Sequence, residues 1–104
     1  MPRPSRDEFI QRIRRCAQRQ DVNLSSPNVQ REMENLDYDF ETVCDCITKL
    51  KVGEMRDKGA SQWRPDATVH AFKTVYEGDR LYVKVQLNPD GLFVLSFKLD
   101  GSPR

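Results

Sequence analysis

The chain has 104 residues, a length that suits one domain with a single modest core, and we expect residues 1–104 to form one domain. Its composition of 38% hydrophobic and 32% charged residues is that of a polar globular protein, and a formal net charge of +1 gives no overall attraction for nucleic acid. The N-terminus lacks an apolar signal segment, and no run of about 18 apolar residues could span a membrane. These features predict a cytoplasmic protein with no membrane partner.

The first predicted helix is rich in arginine. Ser5 and Glu8 have the spacing of a capping box, which predicts a helix from there to about Arg19. Its narrow apolar stripe consists of Phe9, Ile10, Ile13, Cys16 and Ala17. The arginines in and before it are Arg3, Arg6, Arg12, Arg14, Arg15 and Arg19. They form either a solvated basic face or a docking face for RNA or an acidic partner protein.

Two further helices follow a loop at residues 20–27. Ser26 and Pro27 fit the N-cap and first position of a helix that runs to about Leu36. Asp39 caps a third helix, from Phe40 to about Lys51, whose apolar face is predicted to pack on a sheet. That face consists of Phe40, Val43, Cys44, Ile47 and Leu50.

Residues 52–67 are predicted to be a long, basic connection with little regular structure. Gly53, Gly59 and Pro65 interrupt it, and long loops in compact domains are often functional or disordered. Trp63, within this segment, is either a core anchor or an exposed surface for stacking.

The last third of the chain predicts three consecutive antiparallel strands. Residues 68–76 form the first, a turn at 77–79 follows, and residues 81–87 and 92–98 form a hairpin around the turn at 88–91. In the middle strand, one face carries Leu81, Val83, Val85 and Leu87, and the other Tyr82, Lys84 and Gln86. In the last strand we expect Phe93, Leu95 and Phe97 on one face and Leu92, Val94, Ser96 and Lys98 on the other. The order predicts an α+β fold, with the N-terminal helices on one side of a small antiparallel sheet of three or more strands.

The cysteines and the known sequence motifs point to no metal or cofactor. Cys16, Cys44 and Cys46 are odd in number and have neither disulfide nor zinc spacing, so we expect reduced thiols. No phosphate-binding glycine loop, metal-ligand cluster or nucleophile beside a base is visible in the sequence.

A polar strip on the predicted strands is the candidate site. His70 and Lys73 lie on the first strand, Tyr82 and Lys84 on the second, and Lys98 at the end of the third. Such a strip suits an anionic substrate, and it contains the base, cation and acid that metal-free RNA cleavage requires. The alternative is an ordinary solvent face, with His70 a surface or hydrogen-bonded histidine.

Three segments in the second and last thirds of the chain resemble a toxin family. The segments "NLDYDFETVCDCITKL", "LYVKVQL" and "FVLSFK" are similar, in the same order, to the MqsR family of bacterial type II toxins, over about residues 34–98. The resemblance implies a RelE-like fold and a metal-independent endoribonuclease that cleaves mRNA, free or on the ribosome. It also implies a cognate antitoxin as partner.

The resemblance also implies site residues. Tyr82 and Lys98 fall on active-site positions of the family, and Lys84 matches a family lysine without an assigned role. The family segment "FYKSM" reads "EMRDK" here, so that Arg56 or Lys58 could substitute for its lysine. A family glutamine is replaced by His70, which could act as base or acid, or mark a loss of activity.

Together these observations predict catalytic and substrate-binding residues. The catalytic residues are His70, Tyr82 and Lys98, and the substrate-binding residues are Arg56, Lys58, Lys73 and Lys84. The predicted function is that of an mRNA-cleaving toxin. The alternative is a non-catalytic RNA- or protein-binding module derived from such a toxin.

Overall fold

The computed structural model describes residues 5–60 and 66–100, without the side chains of residues 57–60. In these ranges the chain is an α+β fold with three helices and a five-stranded mixed sheet. The helices are α1 (Arg6–Gln18), α2 (Pro27–Leu36) and α3 (Phe40–Thr48). The strands are β1 (Val22–Asn23), β2 (Met55–Ala60), β3 (Thr68–Tyr76), β4 (Asp79–Asn88) and β5 (Gly91–Leu99). Of the helices described, none is long and apolar enough to cross a membrane.

The strands follow the order β1-β5-β4-β3-β2. The predicted β3–β4 and β4–β5 pairs are confirmed as antiparallel, while β1 pairs with β5 in parallel. Glu77 (φ 53°) and Gly78 (φ 85°) form the tight β3–β4 turn in the left-handed conformations that such hairpin turns use.

Two of the three predicted helix starts have the expected side-chain cap. The Ser5 hydroxyl accepts a hydrogen bond from the Glu8 N–H (3.2 Å), and the Glu8 carboxylate accepts one from the Ser5 N–H (3.3 Å). Asp39 accepts one from the Thr42 N–H (2.8 Å). Ser26 makes no side-chain cap, and α2 begins instead with the fixed φ of Pro27.

Helix α3 ends at Thr48, before the predicted end at Lys51. The N–H of Lys49 donates to Cys46 and that of Leu50 to Ile47, which are the tighter bonds of a final 3₁₀ turn. Arg14, on α1, donates to the Leu50 carbonyl through Nε (3.1 Å) and also through Nη2. Arg14 thus places a cation at the C-terminal end of α3, so it belongs to the helix packing and not to an exposed basic face.

Strand β4 divides the sheet into two unlike faces. Leu81, Val83 and Val85 are fully buried, in the same core cluster as Ile13 on α1 and Ile47 on α3. We call this the helix face, and we call the side of β4 that carries Tyr82, Lys84 and Gln86 the outer face. Residues paired across neighbouring strands lie on the same face. The strand register therefore shows on which face each paired residue of the other strands lies.

The predicted loop at 52–67 is wrong for its first half. Residues 52–60 contain a 3₁₀ turn (Val52–Glu54) and the edge strand β2, which pairs with β3 and buries Met55 opposite Phe72. The charged residues of this segment obscured the buried position of Met55. Strand β1, in the predicted loop 20–27, is too short for any periodicity to reveal it. Trp63 lies outside the described residues.

A β-bulge in β5 corrects the predicted faces of that strand. Lys84 pairs with Ser96, but Val85 pairs with Val94, so Leu95 has no partner on β4. Phe97 therefore joins Leu92 and Val94 on the helix face, where it is fully buried. The expectation that Phe97 shares a face with Phe93 is wrong. The expectation that Ser96 and Lys98 share a face with Leu92 is also wrong, because both lie on the outer face, Lys98 opposite Tyr82.

Helix α2 covers the edge of β5 that β1 leaves unpaired. Because β1 reaches only Leu92 and Phe93, the N–H of Phe97 has no strand partner on that side. The Glu32 carboxylate accepts a hydrogen bond from this N–H (2.7 Å), and Ser96 Oγ lies 3.4 Å from its other oxygen. A charged acceptor on α2 thus satisfies the edge and blocks further strand pairing there.

A hydrogen bond between α3 and the end of β3 predicts a pH-dependent part of the stability. Tyr76 Oη donates to Asp45 Oδ2 (2.6 Å), and this bond, followed by that of Lys49, lowers the pKa of Asp45. A lowered carboxyl pKa contributes stability above the unfolded pKa of about 3.9, and that stability is lost as the pH falls through the folded value. Asp45 is 47% exposed, so solvent screening keeps the contribution small.

We expect Tyr76→Phe to lower the free energy of unfolding by about 0.5–1 kcal/mol at pH 7 and by less at pH 3. Urea unfolding at both pH values measures this, with Tyr82→Phe on the outer face as control. An equal loss at pH 3 and pH 7 would contradict the role of ionised Asp45.

The free cysteines differ in access, which predicts an order of alkylation. Cys16 is half-buried, whereas Cys44 and Cys46 are 4% and 1% exposed, and burial raises the pKa of Cys46 to about 12. Because the thiolate is the nucleophile, iodoacetamide at pH 8 should label Cys16 first in the native protein, and all three thiols in guanidinium chloride. Mass spectrometry identifies the sites. Native labelling of Cys46 as fast as Cys16 would show that α3 opens more readily than its packing implies.

Candidate functional site

Tyr82 lies at the centre of a row of outer-face side chains. The register places Lys73 of β3 beside it on one side and Lys98 of β5 on the other. Lys98 Nζ lies 5.8 Å from the centroid of the Tyr82 ring, within the range of a cation–π contact. Lys98 is exposed, so its side chain reaches solvent.

The neighbouring rows add further cations. Lys84 lies between Ala71 and Ser96, and Arg56 pairs with Ala71 from the edge strand β2. Ala71 has a short side chain and lies between Arg56 and Lys84. The outer face is therefore shallower at Ala71 than at the long side chains on either side of it. Arg80 lies one row beyond Tyr82, opposite Val75, which is 64% exposed.

These side chains give the outer face a strongly positive character. We call them the cation surface: Arg56, Lys73, Arg80, Lys84 and Lys98, grouped around Tyr82. Among the described residues that the register and strand alternation assign to this face, the acidic one is Asp100, whose Oδ2 lies 4.0 Å from Lys73 Nζ. The near-neutral total charge therefore hides a local excess of positive charge, which attracts anionic ligands.

His70 is not part of this surface, which corrects the predicted strip. It pairs with buried Val85, so it lies on the helix face, and its ring meets Phe9 edge-on, with centroids 4.6 Å apart and an interplanar angle of 72°. His70 Nδ1 lies 3.5 Å from the Arg56 carbonyl oxygen. The sequence alone could have shown this, because side chains alternate between the two faces of a strand. Positions 70 and 73 differ by an odd number and so lie on opposite faces.

The structure brings together most of the remaining predicted residues. Arg56, Lys73, Lys84, Tyr82 and Lys98 share the outer face, while the side chain of Lys58 lies outside the described residues. Sequence reasoning missed Arg80, although it continues the alternation of Tyr82 and Lys84. It also missed Phe93, which the register places beside Gln86 at the hairpin end of the same face.

The outer face can bind an extended polyanion. Its cations are spaced along neighbouring strands, and its aromatic rings offer stacking surfaces, a combination typical of single-stranded nucleic acid sites. In the described part of the chain, no group of three His, Cys, Asp or Glu side chains is arranged to hold a metal ion.

Comparison of the chain with protein families, with curated proteins and with solved structures found no match.

The placement of His70 predicts a structural effect of its removal. His70→Ala loses the edge contact with Phe9, which we expect to lower the free energy of unfolding by about 1 kcal/mol. Lys73→Ala, on the same strand but the outer face, should stay within about 0.5 kcal/mol of the wild type. Urea unfolding compares the two. Equal stability of the two variants would mean that the His70 ring does not pack on α1.

Proposed function

We propose that the chain is a RelE-like, metal-independent endoribonuclease that cleaves mRNA, the toxin of a type II pair whose antitoxin neutralises it. One observation carries the proposal. Tyr82 and Lys98, the two positions that match active-site positions of the MqsR family, lie directly opposite each other at the centre of the cation surface.

The chemistry assigned to this surface is transesterification of RNA. The 2′-hydroxyl gives its proton to solvent as its oxygen attacks the adjacent phosphorus. The bond to the 5′-oxygen breaks, and a 2′,3′-cyclic phosphate and a 5′-hydroxyl result. The ammonium groups of Lys98 and Lys84 stabilise the negative charge that builds up on the pentacoordinate phosphorus. The Tyr82 hydroxyl donates the proton that the 5′-oxygen needs. Lys73 and Arg56, on either side, hold neighbouring phosphates.

A second candidate is binding without cleavage. It is favoured by the position of His70, because the imidazole predicted as general base or acid lies on the helix face, away from Tyr82. Among described outer-face residues the carboxylate that could accept a proton, Asp100, lies at the margin beside Lys73. A module with this surface would still bind RNA through its cations and rings.

The two candidates separate in a cleavage assay with a matched pair of lysines. Lys98 Nζ lies over the Tyr82 ring on the outer face, and Lys49 Nζ lies 5.4 Å from the Tyr76 ring on the helix side. With single-stranded mRNA in excess chelator, Lys98→Ala should lower the cleavage rate by about 100-fold or more. Lys49→Ala removes the same charge and should retain the rate within about twofold.

Folded Lys98→Ala that cuts at the wild-type rate would remove this residue from the mechanism. If the wild type leaves free mRNA intact, the assay is repeated with translating ribosomes. RNA that is bound but uncut in both settings would establish the binding module instead.

A further inference from the structure

A second cationic feature lies away from the cation surface, between α1 and the β4–β5 turn. A pocket of about 240 Å³ opens there, and Arg12, Arg15 and Arg19 line one wall of it. Their spacing of three and four residues places Arg12 and Arg15 on one side of α1, with the C-cap residue Arg19 following on the same side. We call this the arginine pocket. Arg14, which points to the end of α3, is not among its lining residues.

The three arginines of the arginine pocket all lie close enough to Cys16 to act on its thiol. Cys16, at the pocket wall, has a raised pKa because of its burial and then of Asp21, while the charges of Arg12, Arg19 and Arg15 act in the opposite sense. Three guanidinium groups therefore act on the same thiol. Guanidinium groups gathered in this way suit a phosphate, whose oxygens accept their paired hydrogen bonds.

The arginine pocket is connected to the outer face. A neighbouring pocket of about 250 Å³ is lined by Phe93 and shares Asp21, Asp90 and Gly91 with it. Phe93 belongs to the outer face through its pairing with Gln86. The two adjoining pockets therefore lie between Phe93 on the outer face and the arginines of α1, around the hairpin end.

The acidic wall limits where an anion can lie. Asp21 and Asp90 line both pockets, so a phosphate is repelled from the shared wall and attracted to the α1 wall. The arginine pocket is a concavity of about 240 Å³. Its concave shape, and the adjoining pocket that reaches Phe93 on the outer face, favour a nucleic-acid backbone over an acidic protein.

We propose that the arginine pocket binds a backbone phosphate of the RNA strand whose cleaved bond lies at Tyr82. The choice of RNA as ligand rests on the proposed function. Tyr82 and Asn88 are six positions apart on β4, which is about 20 Å at ~3.3 Å per residue. The two internal phosphates of a trinucleotide lie on neighbouring nucleotides and cannot occupy two places this far apart, whereas phosphates of a 12-nucleotide strand can.

The test compares two double variants that remove equal charge from exposed helix positions. Arg15→Gln/Arg19→Gln alters the arginine pocket and leaves half-buried Arg12 in place, while Arg6→Gln/Arg31→Gln is the control. The probes are a fluorescent 12-nucleotide 2′-O-methyl RNA, which lacks the attacking hydroxyl, and a trinucleotide of the same chemistry. Fluorescence anisotropy follows the first probe, and protein NMR the second.

The pocket variant should bind the 12-nucleotide probe about tenfold more weakly than the control does. Its plot of log affinity against log salt should be shallower by about 0.7, the value for one lost phosphate contact on a single strand. Its trinucleotide affinity should match that of the control. Asp21→Asn, which removes a repelling charge, should bind the 12-nucleotide probe more tightly than the wild type.

Equal affinity of the two double variants for the 12-nucleotide probe would overturn the proposal. An acidic protein would then be the remaining candidate ligand of the pocket. Pyrophosphate serves as the free-anion probe. If the pocket variant loses pyrophosphate binding and keeps RNA affinity, the ligand is a free phosphate compound and the RNA assignment is wrong.

Cleavage of unmodified RNA is scored separately. In one outcome, the wild type binds the probe more tightly than the pocket variant does and yet leaves unmodified RNA uncut. That result overturns the proposed nuclease activity and leaves the proposal for the arginine pocket standing. A wild type that cuts, with both double variants binding equally, overturns the arginine pocket alone.

Discussion

Burial of alternate residues on β4 is the constraint on which the other features depend. Leu81, Val83 and Val85 are fully buried in the core that the sheet forms with α1 and α3. Once these positions face the helices, the pleat directs Tyr82 and Lys84 to the other side. The register then brings Lys73 and Lys98 to the same side from the neighbouring strands. The helices thus cover one face, and the cations stay solvated on the other, where their charge costs little.

Much of the fold could be predicted because the capping residues and the pattern of buried residues indicate the same helices and strands. The capping box at Ser5 and the alternation of β4 each depend on residues close in sequence, and both are found. The bulge at Leu95 could not be read in the same way. Strand β5 has apolar residues on both sides of that point, so a shift of register leaves the hydrophobic pattern nearly unchanged. Strands β1 and β2 exist through pairing with distant strands and carry little pattern of their own.

The candidate site could be predicted from the sequence only where the alternation of side chains along one strand determines which residues share a face. Tyr82 and Lys84 share a face on any straight strand, whereas the meeting of Tyr82 with Lys98 depends on the register of the β4–β5 hairpin. His70 was placed on the wrong face because it was grouped with the lysines as a polar residue, and its position in the alternation along β3 was not considered. Its ring instead packs on Phe9, which joins the sheet to α1. The arginines of α1 likewise divide by direction, since Arg14 contacts α3 and three others line the arginine pocket.

The central claim, that RNA binds the outer face, is tested most directly on the lysines of the two faces. Lysines carrying ¹³C-methyl groups give separate NMR signals for Lys73, Lys84 and Lys98 on the outer face and for Lys49 on the helix side. During titration with an uncleavable single-stranded RNA, we expect the three outer-face signals to shift together and the Lys49 signal to remain unchanged. A shift of Lys49 with the three outer-face signals unmoved would contradict the account.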